Sequence, residues 1–238
     1  MTVRAVFFDV GETIVDETRL YGEWADRLNI PRLTFMAVLG AVIERRESHL
    51  RTFDILRPGI DVEAVRLERA AAGDRTVPIA EDLYPDAVPC LRRLREAGFT
   101  VGLAGNQPRD ARDALEAMAL PVDAILTSAE VGVEKPSPAF YQAVAGAAGL
   151  RTSEIAYVGD RVDNDVVPAA DAGMLAVFLR RGPWGWLQST WPEAARAAVR
   201  IDSLDELPEA LPGGPDAPTT METMRDGSNA KGAREARP

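Results

Sequence analysis

Acidic residues in this chain stand where apolar runs end. Asp9 closes VRAVFFD (3–9), Asp160 closes IAYVGD (155–160), and Asp163 and Asp165 follow directly after it. A third apolar run, 100–104, ends in Gly105, Asn106 and Gln107. Lysine is scarce: of 27 basic residues only Lys135 and Lys231 are lysines, and only Lys135 falls in the part with apolar patterning. Mg²⁺ takes hard oxygen ligands, one or two carboxylates with waters and a substrate phosphate oxygen. A lysine ammonium offsets repulsion among acids and binds phosphate as a point charge. An aspartate can attack phosphorus and form an acyl-phosphate, splitting one difficult hydrolysis into two easier steps. Together these residue types suit magnesium-assisted chemistry on a small phosphorylated substrate.

Such residues act together only if the fold converges them, and the patterning implies that it does. Val3 to Asp9 is β-branched and aromatic with almost no alternation, the signature of a strand buried on both faces. From residue 85 onward the pattern is regular. Helices are expected at 85–97, 110–119, 138–148 and 165–172, alternating with strands at 100–104, 124–127, 155–158 and 175–179. Alternation of this kind implies βαβ units and an α/β fold, a doubly wound parallel sheet with helices on both faces. Ligands of such sheets bind at the carboxyl ends of the strands, near the switch point, where Asp9, Gly105 and Asp160 stand. Residues 18–80 interrupt the alternation with helical periodicity alone: Leu20, Trp24 and Leu28, then a helix opened by Pro31, then a third helix capped by Asp61.

Four ordered segments carry a resemblance. FFDVGET (7–13), the stretch 83–106 ending in GLAGN, VGVEKPSPAFY (131–141) and YVGDRVDND (157–165) resemble the motifs of the haloacid dehalogenase (HAD)-like hydrolase superfamily, over about residues 3–207. The resemblance implies a Rossmann-like core from residues 1–16 and 82–211, and an inserted all-helical cap of the C1 type at 17–81. It implies Asp9 as nucleophile, with the Val10 backbone carbonyl, Asp160 and Asp165 holding Mg²⁺ alongside Asp9. Lys135 would steady Asp9 and the substrate phosphate. The phosphatases of the family work through an aspartyl-phosphate.

Two positions depart from that pattern. Family phosphatases carry a second aspartate two residues after the nucleophile as general acid/base, and here that residue is Gly11. Glu12 is the nearest replacement, and Gly11→Asp is expected to raise activity. The hydroxyl residue that normally ends the second strand is here Gly105, so phosphate binding falls to the Gly105 backbone N–H and to Asn106. These departures keep an alternative open, a catalytically weakened HAD-like protein that binds a ligand or partner. Two related chemistries fit less well: a dehalogenase needs no metal, whereas Asp160 and Asp165 are retained, and a phosphonatase needs a cap lysine, which residues 14–100 lack.

Several residues invite a plainer reading. Asp163 reads as a solvated loop acid, and His49, inside RRESH, as solvent-facing. Cys90 reads as a core-helix residue, and Trp184, Trp186 and Trp191 as packing, with Trp24 and the RGPWGW stretch able to line a cap-side surface.

Composition bounds the remaining classes. The chain has 238 residues, 46% of them hydrophobic, which fits one core with an insertion. A net charge of −10 argues against a nucleic-acid partner. One cysteine and one histidine exclude an internal disulfide and a Cys/His zinc site, and no Ser-His or Cys-His catalytic pair is expected. A lone thiol suits a reducing cytoplasm. No leader peptide and no membrane-spanning run are expected. The quaternary state is left as monomer or homodimer, and residues 212–238 read as a disordered tail.

Overall fold

The computed structural model describes residues 2–212, so all but the first residue of the expected tail lies outside the described residues. Six strands form one parallel sheet: β1 (Ala5–Phe8), β2 (Thr100–Gly105), β3 (Ala124–Thr127), β4 (Ile155–Gly159), β5 (Leu175–Leu179) and β6 (Val199–Ile201). Their order is β3-β2-β1-β4-β5-β6, so the winding reverses at β1, between β2 and β4. The register pairs Phe8 with Leu103 on one side and Val158 on the other, which brings the strand ends at Asp9, Gly105 and Asp160 into one neighbourhood.

Eleven α-helices accompany the sheet among the described residues. α1 (Thr18–Arg27), α2 (Arg32–Glu44), α3 (Leu50–Leu56) and α4 (Val62–Ala71) form the insertion. α5 (Ala87–Glu96), α6 (Arg109–Ala117), α7 (Ser128–Val131), α8 (Pro138–Ala148), α9 (Val167–Asp171), α10 (Gly182–Gln188) and α11 (Leu207–Ala210) belong to the sheet. Both faces of β1 are buried because its side chains alternate between two cores. Val6 and Phe8 pack with Leu91, Leu94, Val101 and Val158, while Ala5 and Phe7 pack with Phe140, Tyr141, Val144 and Tyr157. Burying a phenylalanine fully stabilises by about 1.5–3 kcal/mol, so FFD is anchored from both sides before Asp9 emerges.

The insertion has its own core, Ala25, Leu28, Phe35 and Phe53 with Tyr21 and Trp24 around them. Trp24 meets Phe53 edge-on at 4.9 Å between ring centroids. Its two connections to the sheet run side by side. Asp16 N–H donates to Asp82 O at 2.8 Å, Tyr84 N–H donates to Ile14 O at 3.0 Å, and Val15 bridges Leu83. A second contact comes from α10, whose Trp184 packs on Leu39 and Ile43 of α2.

Three features differ from the sequence reading. The helix capped by Asp61, whose carboxylate accepts Ala64 N–H at 2.9 Å, is the fourth of the insertion, because α3 intervenes. The helix expected at 165–172 begins as a wide turn over Val162–Val166, with Val166 N–H donating to Arg161 O five residues back, and only then becomes α9. Wide turns of this type recur at functional sites, and this one sets the direction of Asp165. α10 and the edge strand β6 carried no periodic signal. No helix of the described residues is long and apolar enough to cross a membrane.

Candidate active site

Asp9, Asp160 and Asp165 each offer an oxygen within 4.8 Å of the other two, and all three are buried. Each leaves a strand end or the turn after one: Asp9 follows β1, Asp160 follows β4, and the wide turn brings Asp165 back beneath them. Lys135 reaches the cluster from the loop after α7. Its Nζ lies 2.7 Å from Asp9 Oδ1 and donates to Asp165 Oδ1 at 2.6 Å. Arg161 N–H donates to the second Asp165 oxygen at 3.0 Å.

The electrostatics follow from that packing. Burial alone would pull the Lys135 ammonium down, but Asp165 and Asp9 outweigh burial and hold it above its ordinary value. Asp165 is raised, by burial first, against the opposing pull of Lys135. Asp160 is raised as well, by burial first and then by the charges of Asp165 and Asp9. Both Asp160 oxygens are buried without a hydrogen-bond partner. Orphaned acceptors of that kind are costly unless something satisfies them, and hard, anionic oxygens converging on one point fit a divalent cation.

Val10 does not fit the role that the resemblance implied for it. Its carbonyl accepts the N–H groups of Ile14 and Val15, both at 2.9 Å, and is turned into the loop. Asn106 is likewise engaged: its amide Nδ2 donates to Lys135 O at 2.9 Å and its Oδ1 accepts Lys135 N–H at 2.8 Å. It therefore orients Lys135 rather than offering a free side chain to phosphate. Gly105 is close to Asp9: a Cβ there would lie 2.8 Å from Asp9 Oδ1, so a hydroxyl residue would displace the acid.

The cluster opens into a cavity of about 150 Å³ beneath the insertion. Asp9, Gly11, Glu12, Asn106, Lys135 and Asp160 form its floor, and Glu17, Tyr21, His49, Arg161 and Trp184 reach it from around the insertion and α10. Glu12 sits at φ 52°, and both its oxygens are engaged, Oε1 by Glu17 N–H at 2.9 Å and Oε2 by the Tyr84 hydroxyl at 2.8 Å. Burial, the largest influence, raises its pKa.

Two corrections concern residues read as bystanders or left out. His49 is half-buried against the edge of Trp184, ring centroids 6.4 Å apart, and burial and Arg161 pull its imidazole down to about 4. Glu17 fills the space above Gly11: a Cβ on Gly11 would lie 2.6 Å from Glu17 Oε1. An aspartate at residue 11 therefore requires the Glu17 carboxyl to move aside, and the gain expected from Gly11→Asp depends on that movement. Asp163 stays outside the cluster, paired with Arg161 at 2.8 Å and accepting from Gln188 at 3.0 Å.

A family model described as haloacid dehalogenase-like hydrolase matches residues 3–173. The chain is 32% identical over 203 residues to a glyceraldehyde 3-phosphate phosphatase of Methanopyrus kandleri, covering 76% of this chain and 86% of that protein. It is 31% identical over 150 residues to (S)-2-haloacid dehalogenase 1 of a Pseudomonas species, covering 61% of this chain and 64% of that protein. The fold matches the magnesium-bound HAD-hydrolase YfnB of Bacillus subtilis, with a TM-score of 0.65 at 17% identity over 88% of this chain and 98% of that one.

Proposed function

Because this chain belongs to the haloacid dehalogenase-like hydrolase family, we propose that it is a Mg²⁺-dependent phosphatase of a small phosphorylated metabolite, acting through an aspartyl-phosphate on Asp9. The observation that carries the proposal is Asp160, a buried carboxylate with no partner, beside Asp9 and Asp165. A dehalogenase acting without a metal has no use for that acid, whereas a cation site does.

Asp160 and Asp9 would hold the ion, with Asp165 behind them through water, since Lys135 and Arg161 N–H already engage both Asp165 oxygens. When bound, the cation offsets the negative charge of phosphate and nucleophile together. Asp9 Oδ attacks phosphorus, and the ester P–O bond breaks to release the alcohol. Water then attacks the same phosphorus, the Asp9–P bond breaks, and inorganic phosphate leaves with Asp9 regenerated. Lys135, 2.7 Å from Asp9, offsets the negative charge that Asp9 and an anionic substrate bring together, and the backbone N–H groups of Gly105 and Asn106 would take the phosphate oxygens.

The helical insertion acts as a cap, and the cavity it closes suits a phosphate ester of a few carbons. A panel of small sugar and hydroxy-acid phosphates tested with purified protein, with and without Mg²⁺, should reveal turnover that Asp9→Asn reduces to background. Turnover that survives Asp9→Asn, or that ignores removal of Mg²⁺ by EDTA, would overturn the proposal.

A further inference from the structure

We propose that Glu17 is the residue that gives and takes the proton in this site, from the place that a side chain on Gly11 would otherwise hold. This rests on the phosphatase reading above. Gly11 stands two residues beyond Asp9 and has no side chain, and the volume above its Cα is filled by the Glu17 carboxyl, Oε1 2.6 Å and Cδ 2.8 Å from where a Cβ would be. Glu17, Gly11 and Asp9 line the same cavity. A carboxyl so placed faces the substrate atoms bonded to the phosphorus that Asp9 attacks.

The other acids of the cavity already have occupations. Asp9 and Asp165 face Lys135, Asp160 belongs to the cation cluster, and Glu12 holds Tyr84 and the Glu17 backbone. No hydrogen bond engages the Glu17 carboxyl among the described residues. Its surroundings keep a proton on it: burial first, then the charges of Glu12 and Asp9, push it up to about 8. The groups that face it are Asp9 after β1, Glu12 and Asp16 of the following loop, Tyr21 of α1, His49 before α3 and Arg161 after β4, and of these Arg161 opposes the shift. A group that is protonated near neutrality and gives up its proton within reach of neutrality suits both halves of an acid–base cycle.

In the first step Asp9 Oδ bonds to phosphorus, the P–O bond to the alcohol breaks, and the Glu17 proton passes to the departing oxygen. In the second, the ionised Glu17 takes a proton from water as that water's oxygen bonds to phosphorus and the Asp9–P bond breaks. Phosphate departs, and Glu17 is protonated again. Glu12 is a positioning residue here, fixing the Glu17 backbone through the 2.9 Å bond from its N–H.

The test compares Glu17→Gln with the unsubstituted protein on p-nitrophenyl phosphate, whose leaving group needs no proton, and on glycerol 3-phosphate, whose leaving group does. Turnover of glycerol 3-phosphate should fall by about 10²-fold or more. The first-turnover burst of nitrophenol should fall far less, and acid-quenched Glu17→Gln should retain phosphate on Asp9. Equal losses on both substrates, or no loss on either, would overturn the proposal. Should Glu17→Gln fail to fold, the double variant Gly11→Asp, Glu17→Ala puts a carboxyl back in the vacated space. Recovery of glycerol 3-phosphate turnover relative to Glu17→Ala supports the assignment, and a folded double variant without recovery overturns it. Asp9-dependent release of nitrophenol by the unsubstituted protein tests the phosphatase reading separately, and its absence would overturn both.

Discussion

Asn106 grips Lys135 at both polar groups of its backbone, donating to the carbonyl at 2.9 Å and accepting the N–H at 2.8 Å. One side chain at the end of β2 thereby fixes the residue whose ammonium bridges Asp9 and Asp165. Asn106→Ala should leave both backbone groups without partners, at a cost of about 1–3 kcal/mol in urea unfolding. It should also loosen Lys135 and lower kcat/KM for the substrate found. Unchanged kinetics in the variant would show that Lys135 is held by other means.

Lys135 itself is the buried cation between Asp9 and Asp165, 2.7 and 2.6 Å from their oxygens. Lys135→Met should destabilise the metal-free protein by about 3–5 kcal/mol, because buried carboxylates lose their counter-charge. Added Mg²⁺ should then stabilise the variant more than it stabilises the unsubstituted protein. Thermal melts in EDTA and in Mg²⁺ measure both quantities, and a smaller Mg²⁺ response in the variant would contradict this account of the cluster.

Asp160 should behave in the opposite way. Its oxygens gain nothing in the metal-free fold, so Asp160→Asn should keep or increase stability in EDTA. The same change should abolish the Mg²⁺ response, which for the unsubstituted protein amounts to about 2.7 kcal/mol at a cation concentration of 100 Kd. A substantial remaining response would move the ion away from Asp160.

The sheet was legible because its signals are local. A strand such as VFF buried on both faces carries no alternation, and helices end where Gly98 and Gly149 adopt positive φ. The clustered acids Asp9, Asp160 and Asp165 and Lys135 were legible because each follows such a strand or stands in a motif of fixed spacing. Glu17 was not. Its role depends on how the loop folds back over Gly11, and the only sequence sign was an acid missing at residue 11 with the pair Asp16–Glu17 soon after. His49 was misjudged because its charged neighbours describe one face of the segment, whereas Trp184, more than a hundred residues away, decides what its ring touches. Val10 was misassigned because a motif gives a residue's place in the chain but not the direction of its carbonyl.

The raised Glu17 pKa makes a prediction about stability. In the unfolded chain the carboxyl ionises near its ordinary value of 4.5, and in the fold only near 8. The folded state therefore binds the extra proton between those values, and the stabilising contribution present below pH 4.5 is lost as pH rises through 8. Glu17→Gln removes that titration. In EDTA, its melting temperature should gain on that of the unsubstituted protein as pH rises from 5 to 8, measured by parallel thermal scans. A difference that stays constant over that range would mean that Glu17 ionises normally.

The paired crossings at Asp16–Asp82 and Ile14–Tyr84 give the insertion a narrow waist, and Glu17 stands on the insertion's side of it. Asp9, Lys135 and Asp160 stand on the other. Any swing of α1–α4 away from the sheet would carry the Glu17 carboxyl off Gly11 while leaving the nucleophile and its counter-charge in place. The proton and the nucleophile would then meet only in the shut form, with bulk water displaced. An open molecule could admit substrate and release phosphate, yet would lack the group needed to expel an alkoxide, so that the timing of the chemistry is written into the hinge.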